Sequence, residues 1–498
     1  MLRYGGESFY TEYSNIINSC FETNTHLNDV GNAVIAPLQK PNKPKGPKIN
    51  IRALTLSNAA RKILSLLTLR RIQKQVDNYT GPWQAAYKQG RSCGDLVWSQ
   101  RMLTSVVMEK NWSFHKMGID MSSAFDTIQR STIISLLKDA GCADDDIRLV
   151  RFLLSNTVIK IRVNSACSAE FTSTLGSFQG DSLSGCLFTL VLAGALHHLR
   201  TLIPYRNVIP YKQDTLMPEE SEYADDVDFL DEEEICLQFI LPVANNVLKE
   251  WSLNINCTKT EFVKFFLAEK GVLDSKNQPV RDNEPWRKTK LLGSFMCSAY
   301  DIERRCISGN IAFNNYKNIW LQGKIISIQR LVQVYEAMVV SVIMYNCSSW
   351  AVPNDKLKQL DVCHRSHLRQ ILKIKWPTTI TNEKLYNICK TRPLSERVKH
   401  ARWKMFGHIL RSPENTPAAL ALSYAVAGTK HLQGRRGRHK INLLSQIRKD
   451  INRIPVDKFS VHKFLHHKLQ LKTQSDIDML RQIAHDRKVW KYLFNYIA

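Results

Sequence analysis

Two adjacent carboxylates, Asp225 and Asp226, stand in the run Tyr223-Ala-Asp-Asp226, with apolar Val227, Phe229 and Leu230 just after them. Residues 214–234 hold eleven acidic residues and no basic one, in a chain of formal net charge +24. Carboxylates this close repel each other, and burying one costs on the order of several kcal/mol unless something pairs with it. A divalent cation would pair with both. A basic protein with a small carboxylate centre is suited to bind a polyanion and to do metal chemistry on it. Four residues alone are a weak motif, and the neighbouring Glu232-Glu233-Glu234 reads as a solvated loop.

Two further features give the pair a context. Asp120 ends the strand-like Phe114-His-Lys-Met-Gly-Ile-Asp120 and is followed by Ala124-Phe125-Asp126. Gln179-Gly180-Asp181 lies in a loop that opens an apolar helix. Two-metal phosphoryl transfer needs carboxylates from separate strands converging on two ions about 4 Å apart, one activating a hydroxyl and the other neutralising a triphosphate. Asp120 and Asp225 at neighbouring strand ends would supply this, with Asp226 helping to hold the first ion. Taken singly, each has a plainer reading: Asp120 as a helix N-terminal residue, Gln179–Asp181 as an ordinary turn, Phe125 as core packing. Their order and combination favour catalysis.

The elements that must position these residues follow from periodicity and breakers. Residues 1–35 have helical spacing, and Pro37–Pro47 is a basic Pro/Lys/Gly-rich connector. An extended segment at 50–56 precedes an amphipathic helix at 59–76. A helix over 131–140 is closed by Gly141. A strand at 159–163, the loop 176–184 and an apolar helix at 185–199 lead to a hairpin over 223–230 with its turn near the aspartates. A helix at 239–253 and a strand at 261–266 complete an α+β core with a mixed or antiparallel sheet. From about Ile311 the pattern is one of long helices. Residues 391–453 carry fourteen Lys/Arg against three acidic residues, a phosphate-tracking surface interleaved with Trp403, Phe406 and His408. Gly434–Lys440 is Gly/Arg-rich, and reads as flexible and as a candidate nuclear address.

The 498 residues suffice for two to four domains, and 44% hydrophobic with 23% charged content is ordinary for a folded protein. A pI near 9.5 points to nucleic acid or an anionic membrane. No apolar run reaches the ~20 residues of a membrane span, and residues 1–6 lack a signal-peptide core. Twelve singly scattered cysteines argue for reduced thiols. The expected setting is intracellular, nuclear or cytoplasmic, without a membrane.

The runs Ile119-Asp-Met-Ser-Ser-Ala-Phe-Asp126, Phe178-Gln-Gly-Asp-Ser-Leu-Ser184 and Tyr223-Ala-Asp-Asp226 resemble three consecutive motifs of reverse transcriptases, most closely those of LINE-type (non-LTR) retrotransposons. Asn50–Leu56, Gly90-Arg-Ser92, Leu253–Thr260, Lys290–Ser294, Phe406–Arg411 and Gly434–Arg438 resemble further segments of these proteins. The resemblance implies a right-hand polymerase: an N-terminal extension and fingers over 1–110, a palm sheet flanked by helices over 111–300, a helical thumb over 301–390 and a basic helical C-terminal region over 391–498. It implies RNA-directed DNA synthesis with two Mg²⁺ ions, or Mn²⁺ in their place, on deoxynucleoside triphosphates, an RNA template and a DNA primer or target DNA. Asp120, Asp225 and Asp226 correspond to the metal-binding triad. Phe125 corresponds to an aromatic gate under the incoming sugar. Gln179 and Gly180 correspond to a loop touching nucleotide and template, Arg52 and Lys40 to finger residues on the triphosphate, Lys259 to a palm lysine near the phosphates, and Leu292 and Gly293 to the turn holding the primer end. The sequence departs from the family at Ser182 and Gly185, where proline is usual, at Leu291, where an aromatic is usual, and around Tyr87–Gly90. No endonuclease pattern is evident, so a separate endonuclease is an expected partner. Two other readings compete: a catalytically weak or inactive nucleic-acid-binding protein, and an intron-encoded splicing helper.

Overall fold

A computed structural model describes residues 5–22, 32–40, 44–47, 50–122, 124–155, 157–203, 216–267, 284–321, 326–427, 441–455 and 470–497. Gly434–Lys440 and Asp214 lie outside the described residues.

Helix α1 spans Gly6–Glu22 and strand β1 spans Ala33–Gln39. β1 is a correction to both the helix expected over 1–35 and the connector expected from Pro37. The apolar, β-branched stretch Ala33-Val-Ile finds a strand on each side. β2 (Ile51–Ser57) runs antiparallel along its whole length, while β4 (Thr157–Val163) pairs in parallel with residues 33–35 only. Pro37 therefore falls beyond the doubly paired stretch, where a missing N–H is tolerated. Helix α2 (Ala59–Tyr79) follows β2, its first turn capped by Asn58, which accepts from the Arg61 N–H at 2.8 Å.

The central sheet is antiparallel throughout. β3 (Phe114–Ile119) lies between β7 (Glu261–Phe265) and β6 (Asp226–Asp231), and β5 (Glu220–Tyr223) forms the other edge. Alternation sends Met117, Ile119, Val227 and Phe229 to one face, into a core shared with α2, α4 (Arg130–Asp139), α5 (Asp144–Leu154), α6 (Ser184–Leu202) and α7 (Glu234–Glu250). α6 is long and apolar enough to cross a membrane, but most of it is buried inside this core. Phe114 and Leu230 turn to the opposite face, against α3 (Cys93–Lys110).

α3 is buried from Gly94 to Val107, because it is packed on two sides. Its second partner is the C-terminal region. Trp403, Phe406, Leu422, Leu444, Leu480 and Trp490 join Trp98, Met102 and Phe265 in one core. Trp403 and Trp490 stack at 4.1 Å, each indole N–H donating to the other's backbone carbonyl. The expected basic surface with interleaved aromatics is therefore corrected. Trp403 and Phe406 on α12 (Leu394–Arg411) are core residues, and Lys404 between them faces outward. A third core, including Ile302, Phe313, Trp320, Tyr335, Trp350 and Leu368, holds together the helices α8 (Ser298–Asn315), α9 (Ile328–Tyr335), α10 (Asn354–Ile371) and α11 (Asn382–Cys389). The helical half thus begins at Ser298, before the position expected from periodicity.

Within the acidic run, the solvated loop expected at Glu232–Glu234 holds for the exposed Glu233 and fails for Glu232. Glu220 and Glu222 are buried and paired with Arg200, at 2.6 and 3.0 Å. Glu232 is buried and accepts from the Tyr424 hydroxyl at 2.5 Å, and Glu234 opens α7. Pairing offsets part of the cost of burying these charges, and burial still pushes the Glu222 carboxyl up to about 8.

Candidate active site

The strand register assembles the aspartates. Ile119 lies opposite Val227, so Asp120, the next residue along, comes alongside Asp226. Tyr223 and Asp226 form the last pair of the β5–β6 hairpin, whose tight turn is Ala224-Asp225. Ala224 takes φ +54°, the left-handed conformation that such a turn demands. Buried Gln84 holds it there: its Oε1 accepts from the N–H of Ala224 at 3.0 Å and of Ala86 at 2.9 Å.

Electrostatics single out the pair in the turn. Burial first, and then the charge of Asp120, raise the Asp225 carboxyl, while Lys259 and Arg52 oppose the rise. The Asp226 carboxyl is pushed up to about 6, by burial first and then by Asp225, Asp228 and Asp120, with Lys116 opposing. Negative charge thus accumulates here beyond what the chain's own cations balance. Asp120 accepts from Lys259 Nζ at 2.7 Å. Among the described residues no three His, Cys, Asp or Glu side chains close on one point as metal ligands do.

The sheet face beneath Asp226 is tied down by buried charge. Lys116 Nζ meets Asp228 Oδ1 at 2.9 Å, and Gln100 of α3 donates to Asp228 Oδ2 at 2.6 Å. Neighbouring Gly118 leaves room for this, since a Cβ there would come within 3.0 Å of Asp228 Oδ1.

Around the aspartates stand the other residues singled out by sequence. Phe125 stacks on Phe188 at 4.3 Å. Gln179 Nε2 approaches both oxygens of Asp126, at 3.5 and 3.4 Å, and its backbone carbonyl accepts from Thr55 of β2 at 2.8 Å. Gly180 has φ +108°, and a Cβ would lie 2.9 Å from the Thr55 carbonyl oxygen. The loop is therefore sutured to the β1–β2 ribbon, which carries Arg52 opposite Leu38. Arg52 is exposed yet close enough to act on Asp225. Lys40 sits at the ribbon's end, its N–H donating to the Asn50 carbonyl at 2.8 Å. Asp181 is spent on structure, bonded to Arg61 Nε at 3.3 Å and Ser65 Oγ at 3.0 Å. Leu292 and Gly293, both at positive φ, turn between the short strands β8 (Lys290–Leu291) and β9 (Ser294–Phe295). Tyr345 donates to the Leu292 carbonyl at 3.0 Å, and Arg305 to that of Gly293.

Sequence reasoning missed several neighbours. Lys116, Asp228 and Gln100 looked like ordinary strand and helix residues, although a lysine inside an otherwise apolar strand was a signal. Tyr87 stood in a stretch noted only as degenerate. It has φ +57°, and its ring lies against Gly185, where a Cβ would fall 2.4 Å from Tyr87 Cε1. The charge of Asp225 helps to raise its hydroxyl, after burial. Glycine at 185 and tyrosine at 87 thus fit together, since anything larger than glycine would displace the ring.

The chain thus has an α+β fold of the right-hand polymerase type, with aspartates at strand ends beside a loop sutured to the β1–β2 ribbon. The chain belongs to the reverse transcriptase (RNA-dependent DNA polymerase) family, whose pattern matches residues 39–293. It is LINE-type. It is 24% identical over 233 residues to the retrovirus-related Pol polyprotein from type-1 retrotransposable element R2 of Popillia japonica, covering 46% of this chain and 32% of that protein. To the R2 polyprotein of Bradysia coprophila it is 29% identical over 166 residues, covering 32% of this chain and 18% of that protein. The matched region thus spans a third or less of these relatives' length. Among solved structures, apo telomerase from Candida tropicalis superposes with a TM-score of 0.39 at 11% identity, covering 95% of this chain and 74% of that one.

Proposed function

We propose that this protein copies an RNA template into DNA, adding deoxynucleotides to a primer 3′-hydroxyl, with Asp120, Asp225 and Asp226 as its catalytic carboxylates. The observation that carries the reading is the juxtaposition of these three at adjacent strand ends, with the turn carboxyls raised by burial and mutual repulsion. Members of this family generally use divalent metals such as Mg²⁺. The donor set fits such ions: all three ligands are hard oxygens, and the local excess of negative charge is relieved by a cation. The chemistry supplied by two bound ions is activation of the primer hydroxyl and neutralisation of the triphosphate and departing pyrophosphate.

The chain's own groups do the positioning. The Lys259 ammonium, paired with Asp120 at 2.7 Å, is the group that would turn to the phosphates and donate a proton to pyrophosphate. Arg52, with Lys40 further along the ribbon, meets the triphosphate. Phe125, braced by Phe188, lies under the sugar and clashes with a 2′-hydroxyl. The Gln179–Gly180 backbone, held by Thr55, lines the nucleotide and template. The Leu292–Gly293 turn, held by Tyr345 and Arg305, supports the primer end.

The test is primer extension on an RNA template with Mg²⁺, comparing wild type with Asp225→Asn/Asp226→Asn. Wild type extends and the variant does not. Extension by the double variant at the wild-type rate would sink the mechanism. Tight template–primer binding with no wild-type extension would favour the binding-only reading.

A further inference from the structure

An open cavity of about 720 Å³ lies between the Gly90–Ser92 turn and the C-terminal helices. Arg91, Lys404, His408, Arg411 and Arg487 line it, and no Asp or Glu does. Lys404, His408 and Arg411 recur at spacings of four and three, so α12 presents them on one face. Arg411 is fixed by donating to the Ala484 carbonyl at 2.9 Å. Arg487 stands close enough that, after burial, its charge lowers the Arg411 guanidinium. Asp95, next to the lining residue Gly94, is already engaged: it receives His408 Nε2 at 2.7 Å and the Ser92 N–H at 2.6 Å. Four permanent cations therefore share a wall with no carboxylate among them, a repulsive arrangement that an anion would relieve.

The cavity adjoins the proposed primer turn. Asn346 lines it and donates to Ser294 Oγ at 3.0 Å, while the adjacent Tyr345 donates to Leu292. We propose that this cavity binds the phosphodiester backbone of the nucleic acid leaving the Leu292–Gly293 turn. The proposal rests on the polymerase reading and gives the C-terminal helices a role in it. Cations spread along an open trough, and not gathered at one closed point, suit a strand better than a single phosphate or a nucleotide.

Lys404 and Arg487 are exposed, so Lys404→Gln/Arg487→Gln leaves the core intact. Fluorescence anisotropy of an RNA–DNA template–primer across a salt series tests the site. The slope of log K against log salt falls by about 0.9 for each lost phosphate contact, which for two contacts is roughly 30-fold weaker binding at 0.15 M salt. Lys358→Gln/Lys384→Gln, an exposed pair on α10 and α11, removes the same charge and leaves the slope within about 0.3 of wild type. Equal slopes for both variants and wild type, or equal losses in both variants, would overturn the proposal. So would weakened binding of a deoxynucleoside triphosphate alone in the Lys404/Arg487 variant, since that would make the cavity a nucleotide site. Mg²⁺-dependent extension by wild type is read separately. Extension with an unchanged slope refutes the trough and leaves the polymerase reading standing. A reduced slope with no extension supports the trough and refutes that reading.

Discussion

Replacing Lys116 with methionine probes the support beneath the catalytic turn. Lys116 and Asp228 are close to fully buried, with side chains 4% and 10% exposed and 2.9 Å between them. Methionine matches the lysine stem in length and keeps its packing. What it removes is the only ion-pair partner recorded for Asp228 among the described residues, leaving the Gln100 amide at 2.6 Å as a hydrogen-bond donor. Breaking a buried pair from one side costs about 3–5 kcal/mol, because the remaining charge stays desolvated. The surviving Gln100 bond places the expected loss near the lower end, about 3 kcal/mol. Asp228→Leu strands Lys116 instead and costs a similar amount. The double variant, with neither charge, recovers most of either loss, since a buried pair and a well-packed apolar replacement are close in free energy. The assay is equilibrium urea unfolding followed by circular dichroism, with the three variants and wild type closing a double-mutant cycle. A loss below about 1 kcal/mol for Lys116→Met, or single losses that simply add in the double variant, would refute the reasoning.

Gly180→Ala places a Cβ 2.9 Å from the Thr55 carbonyl oxygen at φ +108°. It should cost about 1–3 kcal/mol and raise the KM for deoxynucleotide as the loop parts from the ribbon; unchanged stability and KM would show that the suture is loose. Gly185→Ala pushes against the Tyr87 ring and should slow extension and destabilise by about 1–3 kcal/mol. Pairing it with Tyr87→Ala recovers stability, whereas additive losses in thermal unfolding would refute the contact. His364 is fully buried, with neither ring nitrogen hydrogen-bonded among the described residues. His364→Phe should therefore stabilise by about 1–3 kcal/mol in urea unfolding, and a net loss would count against an unsatisfied imidazole. Burial lowers His364 to about 3 and His367 to about 4, below the unfolded value near 6.5. Their contribution is complete above about pH 6.5 and is lost as pH falls, because the unfolded chain takes up protons first. At the limiting slope the two cost about 4 kcal/mol between pH 6.5 and pH 5. Equal unfolding free energies at pH 7 and pH 5 would exclude it.

Much of the core was legible in the sequence because its signals are local. The strand ending on Asp120 and the hairpin around Asp225 and Asp226 follow from alternation broken by turn residues. The resemblance to reverse transcriptases rests on the same short runs, and the family match over 39–293 agrees with it. Where the reading failed, a distant partner decided. Ala33–Gln39 has no helix-breaking signal before Pro37, and it is a strand because β2 and β4 lie on either side of it. Glu232 looked solvated because its partner, Tyr424, is 192 residues away. Trp403 and Phe406 looked like stacking residues among cations, and they are core because Trp490 packs on both of them.

The sequence by itself determined the carboxylates, their order and the basic character of the chain, since those depend on residue type and spacing. The tertiary structure alone decided which charges are spent and which are left over. Arg200, Lys116 and Tyr424 take up Glu220, Glu222, Asp228 and Glu232, leaving Asp225 and Asp226 in the turn. Folding also gathers Arg91, Lys404, Arg411 and Arg487 around one cavity from three separate segments of the chain. Pairing is a matter of distance in space, and for residues so far apart along the chain only the fold sets that distance.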